Sequence, residues 1–151
     1  MSLLTNVAVK QVLGYYAAGT TKRTSDIVDT AGFDGCLFIA SLGTLLDTGT
    51  LDVFVEQDIA NATTAMARLK TTTVFTCTAV HAALVKSCIV VDVYRPQDRY
   101  LQCNITPAVA NAVILGIVAV LYRGHKQPIT QKATALDAVL KSTTLIEPAE
   151  V

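Results

Sequence analysis

The plainest pattern in the chain lies in residues 24–58: a solid apolar run from Cys36 to Ala40, a turn at Asp47-Thr48-Gly49, and then strict alternation. In that alternation Leu51, Val53 and Val55 face one way while Asp52, Phe54 and Glu56 face the other. A run as short as Cys36 to Ala40, rich in strand formers, predicts a strand buried on both faces. The alternating segment predicts a strand with a single core side. Together they predict a β-hairpin that closes at Asp47-Thr48-Gly49.

Further strands are predicted at Asp26 to Thr30, at Thr72 to Val80, at Cys88 to Tyr94 and at Arg99 to Thr106, where Leu101, Cys103 and Ile105 share the core side and Pro107 stops the strand. Arg95-Pro96-Gln97-Asp98 makes a turn, since Pro96 cannot donate to a ladder. Val109 to Arg123 reads as a long strand or strand pair bent at Gly116. Its apolar part, Val109 to Tyr122, falls short of the ~20 residues that a membrane-spanning helix needs, so a strand covered on both faces is expected instead. Residues 59–69 fit a loop, a strand or one helical turn. Residues 1–23 show no steady period and read as an N-terminal arm. Residues 131–151 read as a C-terminal tail in which Ala133 to Leu140 has a helical pattern. The expected fold is all-β: a single β-sandwich or jelly-roll core over 24–130 with extended arms at both ends.

Composition supports the strand reading, because 47 of the 151 residues are Val, Ile or Thr. Only 16% are charged, and 12 basic side chains balance 12 acidic ones. No basic excess is left for phosphate contacts, so nucleic acid and anionic membrane surfaces are excluded as expected partners. A surface rich in Thr and Ala also leaves sheet edges without their usual guard of charge, which points to obligate assembly. A homodimer is expected, with a trimer as the other state.

Chemistry is sparse. The four cysteines, at 36, 77, 88 and 103, form no CxxC and have no neighbouring His, so no metal site is expected. The opening MSLLTNVAVK lacks the profile of a secretory leader, and reduced, free thiols are expected. His81 and His125 each stand alone in sequence. On a strand Asp52 and Glu56 would share a face ~13 Å apart, wider than a glycosidase pair. The Asp47-Thr48-Gly49 triplet reads as a turn rather than as half of an aspartic-protease site. No nucleotide-binding, zinc-protease or serine-hydrolase motif occurs, so neither enzyme activity nor a cofactor is expected. What remains is a set of arginines beside tyrosines: Tyr94, Arg95, Arg99, Tyr100, Tyr122 and Arg123, with His125 and Lys126 nearby. This set reads as a solvated rim or as a docking surface, since Tyr and Arg are typical interface anchors.

Three stretches, taken in order, carry a resemblance: TSDIVDTAGFDGCLFIASLGT followed by GTLDVFVEQ, from Thr24; IVVDVYRPQDRYLQCNIT at 89–106; and AVILGIVAVLYRGHKQPIT at 112–130. Their order and spacing resemble the capsid cement proteins of tailed bacteriophages, also called decoration or head-stabilisation proteins. The resemblance implies a small jelly roll or β-sandwich, made in the host cytoplasm and carried in the virion. It would bind the outer face of an HK97-like shell through the major capsid protein, with no catalysis and no cofactor. The alternatives are a carbohydrate-binding jelly roll or another phage tail or neck component. The lack of Trp and the 6% aromatic content count against a glycan platform.

Overall fold

A computed structural model describes residues 3–69, 73–77 and 87–131. A 3-10 turn at Leu3–Thr5 opens the chain. The strands that follow are β1 (Val7–Leu13), β2 (Tyr16–Gly19), β3 (Arg23–Thr24), β4 (Val28–Asp29), β5 (Phe33–Leu45), β6 (Thr50–Asp58), β7 (Ala67–Arg68), β8 (Thr73–Thr76), β9 (Ser87–Tyr94), β10 (Tyr100–Ala108) and β11 (Ala112–Gly124). They make two antiparallel sheets packed as a β-sandwich. The five-stranded sheet runs β1-β11-β5-β9, with β2 also on β11. The six-stranded sheet runs β3-β10-β6-β7, with β4 on β10 and β8 on β6.

Period-two alternation builds the core between them. Cys36, Phe38, Ala40 and Leu42 of β5 are buried, as are Ile117, Ala119 and Leu121 of β11. From the other sheet come Leu51, Val53 and Val55 of β6 and Leu101, Cys103 and Ile105 of β10. Each large side chain contributes roughly 1.5–3 kcal/mol by leaving water. In β11 the inward set changes phase, from Ala112 and Ile114 to Ile117, Ala119 and Leu121. The register with β5 slips between Ile114 and Gly116 to allow this. An extra residue at this height keeps both halves of a long strand facing the core, since a one-residue slip would otherwise turn half of it outward. Gly116 has φ +149°, and a Cβ there would stand 2.7 Å from the Leu13 carbonyl oxygen, so glycine alone fits.

Four sequence expectations are corrected. First, the turn at Asp47-Thr48-Gly49 exists, with Gly49 N–H donating to Leu46 O at 3.1 Å, but no hairpin forms. β5 and β6 lie in different sheets, because β5 finds long partners in β11 and β9 while β6 pairs along its whole length with β10. Second, residues 3–23 are no free arm. β1 lines β11 from Val7 to Leu13, and Val12 and Leu13 enter the core. The period was hidden by a bulge at Val12, where the register shifts between Gln11 and Leu13. Third, Pro107 does not stop β10. It pairs with Leu51 at a height where β3 has already ended, at Ile105, so β10 is an edge there and tolerates proline. Fourth, β5 is not buried on both faces, because Leu37, Ile39 and Ser41 are only half-buried.

Residues 59–66 form bends that lead into β7. The strand expected at Thr72 to Val80 is β8 as far as the described residues go. His81 and the helical pattern at Ala133 to Leu140 lie outside them, as does all of the expected tail except Gln131.

Candidate functional site

The six Tyr and Arg residues divide into two groups. Tyr94 ends β9, Arg95 follows it, and Tyr122 and Arg123 lie just before Gly124, the last residue of β11, so these four meet at one end of the five-stranded sheet. Tyr100 opens β10 in the other sheet, and Arg99 immediately precedes it. A shallow cleft of about 350 Å³ runs between the groups, lined by Thr30, Phe33, Asp34, Arg95, Asp98 and Arg99.

In the first group Tyr94 is the hub. Arg95 lies 5.2 Å from its ring centroid and Arg123 5.9 Å, and Arg123 Nη1 donates to the Tyr94 hydroxyl at 3.2 Å. Both arginines sit in left-handed backbone, at φ 50° and 53°. That conformation costs a residue with a side chain about 1–3 kcal/mol. It persists because neighbours hold it: Arg95 N–H donates to Asp34 O at 2.8 Å, and His125 N–H donates to Gly32 O at 2.8 Å just beyond Arg123. Asp34 also takes Arg123 Nε at 3.6 Å and His125 Nε2 at 2.9 Å. The bond from His125, helped by the positive charges around it, holds the Asp34 carboxyl below its usual range.

Tyr122 completes the end. Its hydroxyl donates to Asp92 Oδ1 on β9 at 2.7 Å, so its ring must cross the backbone of β5. It crosses at Gly35, where any Cβ would collide with the ring. Burial first, and the Asp92 carboxylate second, raise the Tyr122 hydroxyl above the ordinary tyrosine range, which keeps it a donor. In the second group Arg99 holds Asp29 with two bonds of 2.7 Å and lies 5.1 Å from the Tyr100 ring centroid. Its charge is thereby committed. Sequence reading missed Asp34, Gly35 and Asp92. A glycine inside a strand signals close approach, so Gly35 was the readable clue.

The Tyr94 end continues into an exposed strip along β9. The outward row of β9, Cys88, Val90, Asp92 and Tyr94, is exposed throughout, with Val90 at 49% and Tyr94 at 48%. Val90 pairs with Ile39 and Asp92 with Leu37 across β5. All four cysteines are free. Cys36 and Cys103 are buried, and burial pushes their thiols up to about 12, so they are inert. Among the described residues no three His, Cys, Asp or Glu side chains converge to hold a metal ion.

No family model matches the chain, and no curated protein matches it. Among solved structures it is similar to dimeric latent PorU from Porphyromonas gingivalis, at 9% identity and a TM-score of 0.46. The match covers 79% of this chain and 12% of that one, and at this level it carries no argument about function.

Proposed function

We propose that the protein is a structural component of a phage virion, a cement protein that binds the outer surface of a capsid and ties its subunits together. The observation that carries this reading is the Tyr94 end: two arginines held in costly backbone on either side of one exposed tyrosine, at the head of the exposed outward row of β9. Strain kept at a surface is a mark of a binding site. A tyrosine with arginine beside apolar side chains is the chemistry of an interface anchor. The resemblance of residues 24–57, 89–106 and 112–130 to cement proteins names the partner as the major capsid protein. Copies related by capsid symmetry, as dimers or trimers, would add modest contacts into a large sum.

The test is co-sedimentation with capsids assembled from the major capsid protein of the same genome, together with mass spectrometry of purified virions. Wild-type protein is expected to coat the shells and to raise their melting temperature. Tyr94→Ala combined with Arg123→Glu is expected to weaken coating about tenfold or more, which corresponds to ~1.4 kcal/mol. Failure of wild-type protein to bind any such shell, or undiminished binding by the double variant, overturns the proposal.

A further inference from the structure

The sheets guard their edges unequally. The six-stranded sheet ends on both sides in strands of two to four residues, β3 and β4 along β10 and β7 and β8 along β6. Such short pieces give a foreign strand little to pair with. The five-stranded sheet ends on one side at β1, where the chain itself occupies the backbone groups. Ile129 N–H donates to Thr5 O at 2.9 Å, and the Gln131 side chain stands in for a strand. Its Oε1 accepts from Val9 N–H at 3.0 Å, while Nε2 donates to Val7 O at 2.6 Å and to Leu4 O at 3.1 Å. On the other side β9 runs for 8 residues, and among the described residues it pairs with β5 alone.

The register tells which backbone groups of β9 face that open side. Arg95 N–H donates to Asp34 O at 2.8 Å, one step beyond the pairing of Tyr94 with Gly35. Hydrogen-bonded and non-hydrogen-bonded pairs alternate along an antiparallel ladder. Ile89, Val91 and Val93 therefore turn their N–H and C=O to β5, while Cys88, Val90, Asp92 and Tyr94 turn theirs to the open edge.

This strand matches itself. When two copies of β9 lie antiparallel about a twofold axis at Val91, Cys88 falls opposite Tyr94 of the second copy and Val90 opposite Asp92, and these pairs exchange about eight hydrogen bonds. Val91 then meets Val91, and Ile89 meets Val93, β-branched against β-branched. Asp92 is the only charge on β9, and in this register it faces a valine rather than its own copy. With 12 basic and 12 acidic side chains, the chain carries no net charge to hold copies apart.

We infer that a second copy of this chain adds on at the β9 edge, antiparallel and about a twofold axis at Val91, so that two five-stranded sheets continue as one. The inference concerns the free protein and stands apart from the capsid reading.

Sedimentation equilibrium and disulfide trapping of the full-length protein test it. The wild type is expected to dimerise reversibly. Val90→Pro removes an N–H that faces the open edge and none that β5 uses, and it is expected to raise the dimer dissociation constant about tenfold or more. Val91→Cys with Cys88→Ser sets two thiols on the axis, at a non-hydrogen-bonded pair whose Cα atoms stand ~4.5 Å apart, within disulfide reach. That variant is expected to form a covalent dimer under mild oxidation. Ile89→Cys with Cys88→Ser puts its thiols opposite Val93 and is expected to form none. Trapping keeps the test decisive where the proline variant fails to fold. A wild type that stays monomeric overturns the inference and assigns the edge to another segment of the chain or to capsid protein. So does a dimer that Val90→Pro leaves undiminished, and so does trapping at residue 91 no better than at 89.

Discussion

The outer faces of the two sheets are finished in opposite ways. On the six-stranded sheet the outward rows of β6 and β10 carry paired polar groups. Asn104, fully buried, donates to Glu56 Oε2 at 2.9 Å and accepts from the Thr24 hydroxyl at 2.8 Å. Arg68 grips Asp52 with two bonds of 2.9 Å and lies 3.9 Å from the Phe54 ring centroid, while Lys22 approaches the same ring at 5.1 Å. Cations roof the Phe54 ring, which is itself largely buried. On the five-stranded sheet the matching positions are Val9, Leu37, Ile39, Val90, Val118 and Val120, with Tyr94 and Tyr122 at one end. Both sheets give the same kind of residue to the shared core. They differ only in the other half of each strand, and that half decides whether a face meets water or another surface.

The sharpest way to probe this contrast is first to break what the two sheets share. Phe38, fully buried between them, is expected to cost about 3–5 kcal/mol when changed to Ala, measured by urea unfolding. Next comes the finished face: Asn104→Ala leaves Glu56 and Thr24 without their partner and is expected to cost about 1–3 kcal/mol by the same measure. A matching change on the open face, Val90→Lys, is expected to alter stability by no more than about 0.5 kcal/mol, because β9 presents that side chain to solvent. It should nonetheless weaken capsid binding. A loss from Val90→Lys as large as that from Asn104→Ala would erase the distinction between the faces.

The smallest effect concerns acid. Arg99, hydrogen-bonded to Asp29, lowers that carboxyl from its ordinary 3.8, so the pair's stabilisation is present above the unfolded value and is lost as pH falls through the depressed folded value. Arg99→Ala is therefore expected to lower stability slightly at neutral pH and to flatten the decline below about pH 4, as read from melting temperature against pH. The change is small because both side chains are well exposed.

Much of the strand content was legible from the chain alone. The period-two rows of β6 and β10 identified their core sides correctly, and the apolar run at Cys36 to Ala40 lies within β5. β1 was illegible because a bulge at Val12 breaks its alternation, and the hairpin expectation failed because local pattern carries no partner. Of the candidate surface, sequence supplied Tyr94, Arg95, Tyr122 and Arg123 but grouped them with Arg99 and Tyr100. Asp92 passed unnoticed, because its role depends on a tyrosine two strands away.

By itself the sequence determined that this chain would be strands, where most of them run and which residues seek the core, since alternation and β-branching act over neighbouring residues. Only the tertiary structure decided that β5 and β6 part company across the sandwich, that the N-terminal segment joins the five-stranded sheet, and that two strained arginines meet over one tyrosine. Those outcomes depend on which distant strand offers the longest ladder and the most buried area, a competition among contacts that no local stretch of sequence records.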